Sequence, residues 1–124
     1  MEIREETRCE VKVVGLGGRL DAVSSPIVED RLMALLDEGQ TRLVLDFSDL
    51  TYISSVGLRV LVLLARGLQK SKGRLALAGL SKHIHEIFKI SGFTTIFSIY
   101  PTCDEAVKYI QALADVEEKK PAAT

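Results

Sequence analysis

The sequence predicts an α/β domain built on a mostly parallel sheet. Three features carry that reading. Alternating segments at residues 3–9 and 10–16 have the pattern of a hairpin, apolar strand-like runs recur at residues 43–47 and 74–78, and amphipathic helical patterns separate them. Crossovers between parallel strands are expected to be right-handed. The chain's 124 residues suit one domain, its 47% hydrophobic content supplies a core, and no repeat or linker interrupts it.

The first strand, at the sheet edge, should turn near Thr7 to Cys9 into the second, which Gly15, Gly17 and Gly18 are expected to end. Ser25-Pro26 then starts a helix, with serine as cap and proline at the first helical position. Val28, Leu32, Leu35 and Leu36 form its apolar face, and Gly39 stops it. Residues 43–47 read as an interior strand, followed by a short turn.

A second helix opens after Ser54 and carries Leu58, Val60, Leu61, Val62, Leu63, Leu64 and Leu68. Being apolar nearly all round in its middle, it should pack deeply, with Lys70 and Lys72 favouring its C-terminal end before Gly73. Residues 74–78 form the next strand. Ser81 caps a short helix using Ile84, Ile87 and Phe88, and residues 94–99 are β-rich. Thr102-Cys103-Asp104-Glu105 has the capping-box form, opening a last helix on Ala106, Val107, Ile110 and Leu113. The domain is expected to span residues 1–116, leaving residues 117–124 as a flexible tail.

Lys and Arg number 16 against 17 Asp and Glu, a net charge of −1, with no basic cluster of the kind that marks nucleic-acid binding. Cys9 and Cys103 lie far apart, with no Cys-x-x-Cys and no cysteine near His83 or His85, so reduced thiols and no metal site are expected. The charged opening lacks a secretory signal, and the longest apolar run, residues 60–65, is far short of the roughly 20 residues a spanning helix needs. The expected location is cytoplasmic.

Two enzyme readings fail on spacing. Ser54 or Ser55 could serve as nucleophile with His83 or His85 as base and Asp46 or Asp49 as orienter, but Ser55-Val56-Gly57 has no glycine two residues before the serine. Gly15-Leu16-Gly17-Gly18 follows a strand, yet position 20 is leucine and the dinucleotide fingerprint is not completed. The serine pair itself admits two readings. Serine is a good N-cap; equally, a phosphoryl group at a helix start gains free N–H partners and the positive end of the dipole. The phosphate would add about −1.5 to −2 charges, enough to break an interface without unfolding the domain.

The central motif, Leu50-Thr51-Tyr52-Ile53-Ser54-Ser55-Val56-Gly57-Leu58, makes the chain recognisable. With Gly18-Arg19-Leu20-Asp21-Ala22, Leu43-Val44-Leu45-Asp46-Phe47-Ser48, Gly73-Arg74-Leu75-Ala76-Leu77-Ala78-Gly79 and Phe88-x-x-Ser91-Gly92-Phe93, it resembles the anti-sigma factor antagonist family, the single-domain form of the STAS domain, over residues 3–114. The resemblance implies a small mixed sheet of about four or five strands, with about four helices mainly on one face. It places the family's phospho-acceptor at Ser55, with Ser54 as the alternative hydroxyl where the family often has aspartate and Val56 where it often has serine or threonine. Asp21, Ser24, Ser54, Ser55, Val56, Gly57 and Leu58 would form the partner surface, with Asp21 beside the phosphate and Asp46 or Asp49 as further candidates there.

The implied mechanism is partner switching. The protein binds an anti-sigma factor that is also a serine kinase and so releases a sigma factor; the kinase phosphorylates Ser55, and a phosphoserine phosphatase reverses this. No enzymatic activity, cofactor, direct nucleic-acid contact or membrane insertion is implied. The alternative is a non-switching STAS subunit of a lipid-transport or stress-signalling complex.

Overall fold

The computed structural model describes residues 1–119, with side chains to residue 113. In chain order the elements are β1 (Glu2–Arg8), β2 (Val11–Leu20), α1 (Ser25–Asp37), β3 (Arg42–Asp46), β4 (Leu50–Ile53), α2 (Ser55–Lys70), β5 (Arg74–Ala78), α3 (Lys82–Ile90), a 3₁₀ turn (Phe93–Thr95), β6 (Ser98–Tyr100) and α4 (Cys103–Lys119). The sheet runs β1-β2-β3-β5-β6, and β4 pairs with the far end of β2. Only β1 is antiparallel to its neighbour, so the sheet is mixed, as the family resemblance implied.

β2 is the spine. Its first half pairs with β3 (Lys12↔Leu43 to Gly15↔Asp46) and its last three residues pair with β4. The hairpin from β1 closes on Cys9 and Glu10, both at positive φ as a type I′ turn requires. β1 carries Glu2, Arg4, Glu5, Glu6 and Arg8, a charged edge that discourages pairing with another chain.

Side-chain alternation sorts the core into two faces. Val14, Leu16, Leu43, Leu45 and Leu77 meet α1, α2 and α3 on one face. There Phe47, Phe88, Phe93 and Phe97 pack at centroid distances of 5.8–6.3 Å. Val11, Val13, Val44, Ala76 and Ala78 point the other way, under Ala106, Val107 and Ile110 of α4. Three helices thus cover one face and one covers the other. The small Ala76 and Ala78 let α4 lie close to the sheet.

The structure departs from the sequence expectations in four places. The glycines do not end β2: Gly15, Gly17 and Gly18 lie within it, and a register shift between Gly18 (φ +92°) and Arg19 hands the strand from β3 to β4. β4 itself, a sixth strand, stands where only a turn was expected. Its buried residues, Leu50 and Ile53, are three apart and give no alternation to read. Within residues 94–99 the chain first makes the 3₁₀ turn, and only Ser98 and Ile99 fall in β6. Finally, Ser24 rather than Ser25 is the N-cap residue of α1, with its side chain bonded back into the loop and not to the helix, which places Pro26 at the second helical position. The capping box at α4 is half formed, with Glu105 N–H donating to Thr102 Oγ1 at 3.2 Å. Of the expected tail, residues 120–124 lie outside the described residues.

α1 is fastened to the sheet edge by charge. Arg31 donates from Nε and Nη2 to both carboxylate oxygens of Glu5 at 2.5 and 2.7 Å, and Lys12 Nζ stands 3.3 Å from Glu5. The Arg31 fork, opposed by desolvation and aided by Lys12, holds the Glu5 carboxyl at about 2, below its ordinary 4.5. Because the folded-state value is depressed, this stabilisation is present above pH 4.5 and is lost as pH falls from 4.5 towards 2. Arg31→Gln should therefore cost about 1 kcal/mol at pH 7 by urea denaturation, the scale of a partly exposed pair, with the difference shrinking below pH 4.

Candidate functional site

The site forms where β2 and β4 end and α2 begins. The Ser54 N–H donates to the Leu20 carbonyl at 2.9 Å, tying the strand end of β2 to the helix start. Ser54 has extended backbone (φ −94°, ψ 172°), its Oγ accepts from Gly57 N–H at 3.2 Å, and its carbonyl accepts from Leu58 N–H at 2.9 Å. Ser54 is thus the N-cap of α2. Ser55 follows as the first helical residue and is exposed. The Ser55 and Val56 N–H groups precede the first intrahelical hydrogen bond and are left for solvent or an incoming anion.

Gly57 makes this junction possible. A Cβ there would stand 2.8 Å from Leu20 Cγ, 2.9 Å from Leu20 O and 3.0 Å from Ile53 Cγ1. Two of those atoms belong to side chains that could shift, but the carbonyl is held by Ser54. Only glycine lets the first turn of α2 come this close to the strand ends.

Asp21 leads the loop from β2 into α1, directly after Leu20. Its Oδ1 accepts from the Val23 and Ser24 N–H groups, each at 3.1 Å, and Oδ2 lies 3.8 Å from Arg19 Nε. The bond from Ser24 N–H, then that from Val23, holds its carboxyl below the usual range. Ser24 Oγ accepts from Asp21 N–H at 3.0 Å and donates to Arg19 O at 2.7 Å. Asp21 and Ser24 therefore shape the loop beside the Ser54–Ser55 pair. The neighbouring Arg19 guanidinium stacks 4.2 Å from the Tyr52 ring centroid.

Around the serines the surface is unusually apolar. Val23 is 84% exposed, Ile27 60% and Val56 42%. A groove between α1 and α2 is lined by Ser25, Pro26, Glu29, Val56, Arg59 and Val60, and another beside α2 by Ser55, Leu58, Arg59, Val62, Arg66 and Phe93. The second groove shows that α2 is less deeply packed than its composition suggested, since Val62 and Leu63 are half-buried. Sequence reasoning missed Val23, Ile27 and Arg59. The signal for Ile27 was available: it falls off the face set by Val28, Leu32 and Leu35.

Other candidates are not brought together. Asp46 accepts from Ser48 N–H and Oγ, and Asp49 pairs with Arg4. Asp49 precedes β4 while the serines follow it, and Asp46 pairs with Gly15 on β2, whereas Ile53 beside the serines pairs with Leu20, five residues further along that strand, so the expectation that either stands beside Ser55 is not met. His83 and His85 are exposed on α3, and neither lines a groove that holds Ser54 or Ser55. Among the described residues, no helix is long and apolar enough to cross a membrane.

The STAS domain profile matches residues 1–106. The chain belongs to the STAS domain family. BtrV of Bordetella bronchiseptica, whose name places it among the anti-sigma factor antagonists, is 43% identical over 84 residues, covering 68% of this chain and 72% of that one. The anti-sigma-B factor antagonist of Bacillus subtilis is 31% identical over 86 residues, covering 69% and 78% respectively. An anti-sigma factor antagonist structure from Mycobacterium paratuberculosis superposes with a TM-score of 0.82 at 26% identity, covering 89% of this chain and 93% of that one. The resemblance and the STAS fold expected from sequence are borne out.

In this STAS domain, Gly57→Ala weighs two opposing effects. Helix propensity favours alanine by about 1 kcal/mol, whereas overpacking costs about 1–3 kcal/mol. With a fixed carbonyl in the way, overpacking should win, and urea denaturation should show a net loss of about 1–2 kcal/mol. Ser54→Ala should lose about 1 kcal/mol in the same assay and Ser54→Asp almost nothing, because aspartate caps as well as serine.

Proposed function

We propose that this protein is an anti-sigma factor antagonist that works by partner switching, controlled by phosphorylation of Ser55. The supporting observation is the division of the two hydroxyls: Ser54 Oγ is engaged with Gly57 N–H, while Ser55 stands exposed on the first helical residue. A kinase needs an accessible acceptor, and Ser55 is the better one.

In the unphosphorylated state the apolar side chain of Val56, the α2 start and the loop from Asp21 to Ser24 offer a docking surface to an anti-sigma factor, which then lets go of its sigma factor. Leu58 supports that surface from beneath, and Gly57 sets the helix at the right depth. Val23 and Ile27 extend it. That the anti-sigma factor is itself the serine kinase follows the family pattern. Transfer from ATP forms the Ser55 Oγ–phosphorus bond, breaks the bond between the γ-phosphorus and its bridging oxygen, and releases ADP and the hydroxyl proton. The new dianion meets the partner across a partly desolvated contact, where like charges cost several kcal/mol. A change of 1.4 kcal/mol is already tenfold in affinity. A phosphoserine phosphatase resets the surface. The chain acts in the cytoplasm as a substrate and regulator rather than as an enzyme, within a STAS domain of residues 1–116.

Serine at position 54, where the family often has aspartate, does not favour the alternative of a non-switching STAS subunit. Capping accounts for that serine, because serine and aspartate do the same work there.

Incubation with the cognate anti-sigma kinase and ATP should place one phosphate on Ser55 by mass spectrometry. Ser55→Asp should weaken binding to the kinase at least tenfold, and Ser55→Ala should bind constitutively while remaining folded. Phosphate elsewhere, or unchanged binding by Ser55→Asp, would defeat the switch.

A further inference from the structure

Arg59 is the exposed cation four residues after Ser55 on α2. On a helix that spacing sets two residues on one face, with Cβ atoms about 5–6 Å apart, and the order acid then base is the favourable one. Arg59 also lines both grooves that flank the helix start. It shares one with Ser55, and the other with Glu29, Val56 and Ser25. In neither does it make an ion pair among the described residues. The α1-side groove also holds a buried hydroxyl without a partner, for Ser25 is 1% exposed and its Oγ makes no hydrogen bond among the described residues.

We infer that Arg59, which lines both grooves, is the in-chain partner of a phosphate on Ser55, and that phosphorylation commits its side chain to the groove it shares with Ser55. The inference rests on Ser55 being the acceptor. A phosphate carries about −1.5 to −2 charges and three acceptor oxygens, against the single charge of Glu29. Guanidinium meets such a group with two parallel N–H donors. Other charges are less well placed. Arg66 shares the groove but lies seven residues, about 10 Å, further along the helix. Arg19 is stacked on Tyr52 beside Asp21. Asp21 is the carboxylate of the neighbouring loop, and of the α1 carboxylates Glu29, Asp30 and Asp37 it is Glu29 that lines a groove with Arg59. One modification would then change both grooves: a phosphate fills one, and the other loses its cation beside Val56. The partner meets an altered surface on each side of α2.

The test installs phosphoserine at position 55 during synthesis, so it does not depend on any kinase. The phosphate is titrated by ³¹P NMR in the otherwise native protein and in Arg59→Gln and Arg66→Gln variants, with circular dichroism as the check on folding. The second phosphate pKa, ordinarily about 6, should be lower with Arg59 present than in Arg59→Gln by about 0.3 unit, a two-fold change in proton affinity. Arg66→Gln should titrate like the native sequence. Equal titration with and without Arg59, or an equal shift from Arg66→Gln, would overturn the assignment. Mass spectrometry that finds the kinase's phosphate elsewhere would instead defeat the Ser55 reading and leave this titration unchanged.

Discussion

The Leu20 carbonyl is the joint on which the site depends. It ends the central strand, accepts the Ser54 N–H, and lies against Gly57 in the first turn of α2, where there is no side chain. Nearly every other feature follows from that contact. β4 must reach the end of β2, so β2 must change partners along its length, and the bulge at Gly18 and Arg19 provides the change. The first turn of α2 must lie against the strand ends, so position 57 must be glycine. The loop carrying Asp21 then leaves from the same point, which brings the starts of α1 and α2 to one edge of the molecule.

This geometry separates two roles that the serine pair combines in sequence. A cap needs extended backbone and a side chain turned back onto its own helix. An acceptor needs the opposite, a side chain turned out to solvent. Consecutive residues at a helix start meet both demands because the backbone changes from extended to helical between them. Asp21 fits the same logic. Its carboxylate is occupied by Val23 and Ser24 N–H groups, so its first effect is to fix the loop, and its charge reaches the surface through an organised turn.

Much of this was legible before any coordinates. The strand at residues 43–47, the helix after Ser54 and the strand at residues 74–78 each carry a strong local pattern, and the motif around Ser55 carried the family. The failures share a cause. β4 was invisible because Leu50 and Ile53 follow no strand period, and its existence rests on hydrogen bonds to residues thirty positions away. The glycines of β2 suggested a break, yet Gly15 and Gly17 sit under the side chains of Arg4, Glu2 and Asp49 in a well-paired strand. Ser25 beside Pro26 looked like a cap, but the loop bonds of Asp21 start the helix one residue earlier.

By itself, the sequence determined the order and type of most elements, the apolar faces that make the core, and the hydroxyls available at the head of α2, because propensity, periodicity and capping act over a few residues. It could not determine which carboxylates stand near Ser55. Asp21, more than thirty residues away in sequence, lies beside the serines, whereas Asp46 and Asp49, within ten residues, are held at the other end of β4 by Ser48 and Arg4. Nor could it show that Arg59 stands between two grooves, one of them completed by α1. Those are distances between elements, and only the pairing of β2 with β4 and the packing of α1 against α2 decide them.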